Sequence, residues 1–86
     1  MFVNIAGYRF VDLPDRDSLR ELFRQKCNSL GLKGTILLSH NGINFSLAGK
    51  KESIDEYTSF FEEVERLRGI PMHVSYSDYQ PFRRML

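Results

Sequence analysis

The chain has 86 residues, one cysteine, no tryptophan and no apolar run longer than three residues, as in Ile36-Leu37-Leu38. A lone Cys27 rules out an intramolecular disulfide and a cysteine-based zinc site. It leaves a reducing, cytoplasmic compartment as the default. Runs this short cannot span a bilayer, which needs about 20 apolar residues. The opening stretch Phe2 to Ala6 is too short, and lacks the basic flank, for a secretory leader. Charge of one sign is also missing. Twelve Lys and Arg stand against eleven Asp and Glu, a net +1, which disfavours a strongly basic nucleic-acid module while leaving room for a local basic patch. There is no internal repeat, low-complexity tract or Pro/Ser-rich linker.

What remains is one small domain's worth of chain. With 42% hydrophobic residues it is too apolar for disorder. A chain of this size buries roughly 60–65% of its unfolded surface and folds with modest stability. Phe2 to Val11 reads as a strand. Leu13-Pro14-Asp15 ends it and opens a helix, with Asp15 or Asp17 as candidate acceptors for the orphan amides. Leu19, Leu22, Phe23, Cys27 and Leu30 keep one helical face, and Gly31 supplies a left-handed stop. Lys33 to Ser39 is a second strand, and Ile43 to Ala48 a third. His40-Asn41-Gly42 joins them as a hairpin turn, with Asn-Gly tolerating positive φ. Along the third strand Ile43, Phe45 and Leu47 point one way, and Asn44, Ser46 and Ala48 the other. Ile54, Tyr57, Phe60, Phe61, Val64 and Leu67 then form the strongest helical stripe, with Ser53 and Glu56 as a candidate capping box. Gly69 and Pro71 end it. In the last strand Met72, Val74 and Tyr76 alternate with His73, Ser75 and Ser77.

The order β-α-β-β-α-β predicts an α+β, ferredoxin-like split unit. It has a four-stranded antiparallel sheet in the spatial order 4-1-3-2, with both helices on one face. The other face carries Asn44, Ser46, His73 and Ser75, with Asn4 or Tyr8 beside them, and reads as an open, polar docking surface.

Catalytic signatures are scarce. Cys27 lies late in the first helix on its apolar stripe and reads as a core residue rather than a nucleophile. His40 and His73 lack partners for a metal site. The acidic residues of the second helix read as a solvated face. No phosphate loop of either Gly-rich type is present. One cysteine excludes an iron–sulfur ferredoxin. The third strand lacks the aromatic signature of RNA-recognition motifs, because Phe45 shares the apolar face. Asp12-Leu13-Pro14-Asp15 is acidic where an acylphosphatase needs a phosphate cradle. Some basic residues do group. Lys33, Lys50 and Lys51 flank the hairpin, and Arg83-Arg84 follow Pro81-Phe82.

Several segments together are specific. Leu32-Lys33-Gly34-Thr35-Ile36-Leu37-Leu38-Ser39-His40-Asn41-Gly42-Ile43-Asn44 is one, and Ala48-Gly49 followed by Ile54-Asp55 another. Tyr8-Arg9-Phe10-Val11 and Pro81-Phe82-Arg83-Arg84-Met85 complete the set. Across essentially the whole chain they resemble the N-terminal, acylphosphatase-like domain of the rhodanese-like tRNA uridine hydroxylases. The family turn more often reads Glu-Gly-Ile-Asn followed by Gly-Thr; here Asn41 replaces the acid and Phe45-Ser46 follow. The resemblance implies that residues 1–80 form the domain and that 81–86 begin the connection to a rhodanese domain in cis. It implies a full-length, cytoplasmic enzyme that hydroxylates the wobble uridine of tRNA with molecular oxygen, its catalytic cysteine in the rhodanese domain. No cofactor, metal or catalytic residue is carried onto this segment, and no membrane is implicated. Its expected role is to position tRNA or to brace the catalytic domain. The alternative is a purely structural domain without RNA contact. The chemistry of the side chains nominates Lys33, Lys50, Lys51, Arg83 and Arg84 for phosphates, and Asn41 and Asn44 for sugar or base edges.

Overall fold

A computed structural model describes residues 1–83 and 85. The elements are β1 (Phe2–Phe10), α1 (Arg16–Leu30), β2 (Lys33–Ser39), β3 (Gly42–Gly49), α2 (Lys51–Glu63) and β4 (His73–Ser77), with a 3-10 turn at Glu65–Leu67 before β4. The strands form one antiparallel sheet in the order β2-β3-β1-β4, the expected ferredoxin-like arrangement read from its other edge. Strand β3 is central. It pairs with β1 from Val3↔Gly49 to Phe10↔Gly42 and with β2 from Lys33↔Ala48 to Ser39↔Gly42.

Period-two alternation decides which face meets the helices. Ile43, Phe45 and Leu47 of β3, with Val3 and Ile5 of β1, are buried with Leu19, Phe23 and Cys27 of α1 and Ile54, Tyr57 and Phe61 of α2. The centre of this core is aromatic. The Phe45 ring lies 5.2 Å from Phe61 and 6.0 Å from Tyr57, and Phe23 reaches Phe60 at 5.4 Å and Phe61 at 5.8 Å. Truncating such a ring to alanine costs about 3–5 kcal/mol.

Helix α1 stops at Gly31 (φ 69°, ψ 21°), whose N–H returns to the Asn28 carbonyl, as its sequence leads one to expect. Other local expectations are corrected. Asp15 occupies the cap position of α1 but makes no side-chain cap bond, because its carboxylate is taken by Arg66. Helix α2 begins at Lys51, so Ser53 lies inside its first turn and no Ser53–Glu56 capping box forms. It ends at Glu63, with the chain tightening into the 3-10 turn rather than running on to Leu67. The apolar face of β4 is not covered: Val74 is 53% and Tyr76 64% exposed, because the edge strand projects beyond α2.

The hairpin loop is His40-Asn41, closed by the Ser39↔Gly42 pair. Among the described residues no non-glycine has positive φ, so Asn41 does not supply the expected left-handed turn residue. It is held otherwise. Its N–H donates to Ser39 Oγ (3.2 Å), and its carbonyl accepts the Val11 N–H (2.9 Å). Gly42 has φ 156°, and a Cβ there would collide with the Arg9 carbonyl oxygen on the neighbouring strand. Gly42→Ala is therefore expected to cost about 1–3 kcal/mol in urea unfolding. An unchanged midpoint would show that β1 and β3 separate there without penalty.

Candidate nucleic-acid interface

The sequence-nominated residues fall at two ends of the sheet. Lys33 opens β2 and pairs across to Ala48. Gly49, Lys50 and Lys51 follow directly and lead into α2. Arg83 is exposed and stands two residues before Met85, which bridges in parallel to Gly34 beside Lys33. Chain continuity thus gathers Lys33, Lys50, Lys51 and Arg83 near the open end of the hairpin. Asn41 and Asn44 lie at its closed end, with six residue steps along the strand, or about 20 Å, from Asn44 to Lys50. Arg84 lies outside the described residues.

These cations are not equally available. Lys51 Nζ sits 2.7 Å from Asp55 Oδ2, and that hydrogen bond holds its pKa above the ordinary lysine value. Lys33, Lys50 and Arg83 have no ion-pair partner among the described residues. Other arginines are committed to the scaffold. The Arg9 guanidinium donates to the Arg68 carbonyl at 3.0 Å and the Arg66 carbonyl at 3.4 Å. Arg66 forms a two-pronged pair with Asp15, at 2.5 and 2.6 Å. That pair tethers the 3-10 turn to the start of α1.

Sequence reasoning missed a third basic feature. Arg16, Arg20 and Arg24 recur every four residues along α1, a rise of about 6 Å per step. They line a 410 Å³ groove with Phe23, the β2 edge and Met85. The i, i+4, i+8 spacing was the available signal. Arg16 and Arg24 meet Asp17 and Glu21 only at 3.8 and 3.9 Å, in exposed pairs that hold little energy.

The open sheet face, expected to be polar, is so on one half only. Its β4 side is polar. Asn4 Nδ2 donates to Ser77 Oγ (3.3 Å) and reaches Ser75 Oγ at 3.5 Å. The tail returns to this half: Gln80 Nε2 donates to the Ala48 carbonyl (2.9 Å), and Pro81 and Phe82 line one pocket with Asn4, Ser46 and His73. The other half is aromatic and bare. Tyr8 is 68%, Phe10 87% and Leu37 64% exposed. Sequence pattern offers Tyr8 only as one option for this face. It does not single out Phe10 and Leu37, although even-numbered alternation along β1 sets Phe10 beside Tyr8.

Among the described residues, these surfaces carry no nucleophilic centre. Cys27 is fully buried, and burial pushes its thiol up to about 12. Burial likewise raises the Tyr57 hydroxyl far above its ordinary range, and that hydroxyl has no hydrogen-bond partner among the described residues. His40 and His73 are both exposed, on a turn and an edge strand. No helix among the described residues is long and apolar enough to cross a membrane.

Comparison with known proteins settles the lineage. The family model of the UPF0176 acylphosphatase-like domain matches residues 2–86. The chain belongs to this family. It is 48% identical over 84 residues to a tRNA uridine(34) hydroxylase of Cupriavidus metallidurans, covering 98% of this chain and 30% of that protein. A tRNA uridine(34) hydroxylase of Anaplasma marginale is 42% identical with the same coverage. The chain thus spans about a third of the length of these relatives and corresponds to their N-terminal domain. Among solved structures, Klebsiella pneumoniae BlrP1 aligns with TM-score 0.74 and 26% identity, over 100% of this chain and 25% of that one. An acylphosphatase from Coxiella burnetii aligns with TM-score 0.65 and 18% identity, over 99% and 90%, a likeness of fold alone. The Asp15 carboxylate at the end of the first loop is held by Arg66.

Two outcomes follow. Cys27 is expected to resist a thiol reagent at pH 8 until the chain unfolds; rapid labelling of the folded protein would contradict its burial. The Arg66 hydrogen bond lowers the Asp15 pKa below its usual value, so the folded state favours the ionised carboxylate. The resulting stability is present above the ordinary carboxylate range and disappears as pH falls through the lowered value. Asp15→Asn should therefore melt below wild type at pH 7, with the gap closing as pH falls through the lowered carboxylate pKa. A gap independent of pH would contradict this pairing.

Proposed function

We infer that this chain acts as the non-catalytic N-terminal domain of a tRNA uridine hydroxylase and helps to position tRNA for chemistry performed elsewhere in the full-length protein. The observation that supports this most directly is the set of cations the fold leaves unengaged. Lys33, Lys50 and Arg83 converge near one end of the sheet in a chain of near-neutral net charge, on a domain whose relatives are named for tRNA modification. Lys51 adds charge but shares it with Asp55. Arg84 belongs to the same proposed set by sequence. Molecular oxygen, as co-substrate, would react in the remainder of the protein, a rhodanese domain joined through residues 81–86, in the cytoplasm. A thiol as buried as Cys27 has no part in that step.

A bracing role is the second reading, favoured by the groove between α2 and β4. Met72, Val74 and Tyr76 line it with Ile54 and Ile70, and Lys51, Asp55 and Glu62 of α2 stand along the same groove. It offers a seat for another domain of the same protein.

A salt titration of tRNA binding separates the two. A phosphate-contacting domain should bind with a negative log–log slope. Lys50→Glu should weaken binding and reduce that slope by roughly 0.7–0.9 for each phosphate left without its cation. Lys51→Glu should do less, because Asp55 already offsets its charge. Affinity and slope unchanged in both variants would favour the brace.

A further inference from the structure

The bare half of the sheet face is a slot rather than a plane. Two rows of side chains cross three strands there. The first is Tyr8, Asn44 and Leu37; the second is Phe10, Gly42 and Ser39. Gly42 contributes no side chain, so the middle of the second row is backbone only. Tyr8 and Phe10 form one wall, with their rings 6.1 Å apart and 74° to each other, and Leu37 forms the opposite wall on β2. The strands carrying the two walls are about 10 Å apart. Asn44 and the turn residue Asn41 also line the slot, whose volume is 220 Å³.

We propose that this slot receives a single unpaired nucleobase of an RNA loop, stacked on the Tyr8–Phe10 corner and hydrogen-bonded by the amides of Asn44 and Asn41. The proposal rests on the tRNA-positioning role and names the site at which it acts. A planar base offers a π-face to one ring while the perpendicular ring meets it edge-on, both favourable arrangements for aromatic systems. An asparagine amide presents a donor and an acceptor side by side, the pattern a base edge requires. Recognition of single-stranded RNA commonly takes this form, with splayed bases stacked on aromatic side chains. Size argues against a protein partner. The three exposed side chains offer on the order of 400 Å², about half of what each partner contributes to a stable protein interface. The slot volume is likewise below the roughly 300 Å³ at which drug-sized ligand sites begin.

The test is an amide NMR titration of the isotope-labelled chain with heptauridylate, and in parallel with a blunt RNA duplex of equal length. Heptauridylate should shift the amides of Tyr8, Phe10, Leu37 and Asn44, and the duplex should not. Tyr8→Ala and Phe10→Ala, both at exposed positions, should each weaken heptauridylate binding about ten-fold while leaving its salt slope unchanged. Shifts confined to Lys33, Lys50 and Arg83 would overturn the base slot and leave tRNA positioning intact. No shifts with heptauridylate or with a tRNA anticodon stem-loop would overturn both. Shifts at the slot that grow with protein concentration in the absence of RNA would assign this face to a second copy of the chain and overturn the proposal.

Discussion

The packing of Phe45 against Tyr57 and Phe61 is the contact on which the other features depend. It joins the central strand to α2, and Phe23 joins the same cluster from α1. Because side chains alternate along a strand, burying Phe45 commits Ile43 and Leu47 inward and Asn44 and Ser46 outward. The pairing of β3 with both neighbours transmits that choice. Tyr8 and Leu37 stand opposite Asn44, so both must face away from the helices. A one-residue slip of β3 would bury Asn44 and Ser46 and expose three core side chains. The aromatic slot is thus a consequence of core register, although none of its walls touches the core rings.

Charge follows a comparable division. The arginines nearest the loops hold the scaffold. Arg9 fastens the chain after α2 to β1, Arg66 holds α1 by Asp15, and Arg68 Nε donates to the Glu62 carbonyl. The first two bonds link segments far apart in sequence, and all three guanidinium groups are already engaged. The lysines at the β2–α2 end bear no such load, Lys51 excepted. A net charge of +1 therefore conceals an uneven distribution, and local fields rather than the total govern what the surface attracts.

The parts of this fold that were legible in the sequence are those fixed by short-range constraints. The β2 limits, the Gly31 stop and the inward set Ile43, Phe45 and Leu47 depend on alternation and on a glycine that alone tolerates its backbone angle. The parts that were not legible depend on distant partners. Asp15 has the composition of a cap, but Arg66, 51 residues away, competes for its oxygens and wins with two hydrogen bonds. Asn41 has the composition of a left-handed turn residue, but Ser39 and Val11 hold it otherwise. Val74 and Tyr76 alternate as core residues should, yet α2 does not reach over the edge strand that carries them. The site was partly legible. Its polar and basic members could be named from chemistry, but β1 is apolar on both faces, with Val3 and Ile5 on one and Tyr8 and Phe10 on the other. Pattern alone does not say which pair is left in solvent.

The sheet face is also divided by strand length. Strand β4 has five residues and pairs only with Phe2 through Ala6 of β1. Beyond Ala6, the β4 side of β1 carries no paired strand, and the chain before β4 is instead pinned near it by Arg9. The tail returns from β4 across the polar half, where Gln80 anchors on Ala48, and does not line the slot at the far end. Phe10, four residues beyond the last β1–β4 pair, is left 87% exposed. An aromatic side chain at a sheet edge is an aggregation liability unless something else selects for it. Asparagine, serine or lysine would fit the same outward positions without that cost. The rings of Tyr8 and Phe10 face Leu37 across a floor that Gly42 leaves as bare backbone, which is the shape the proposed planar ligand would need.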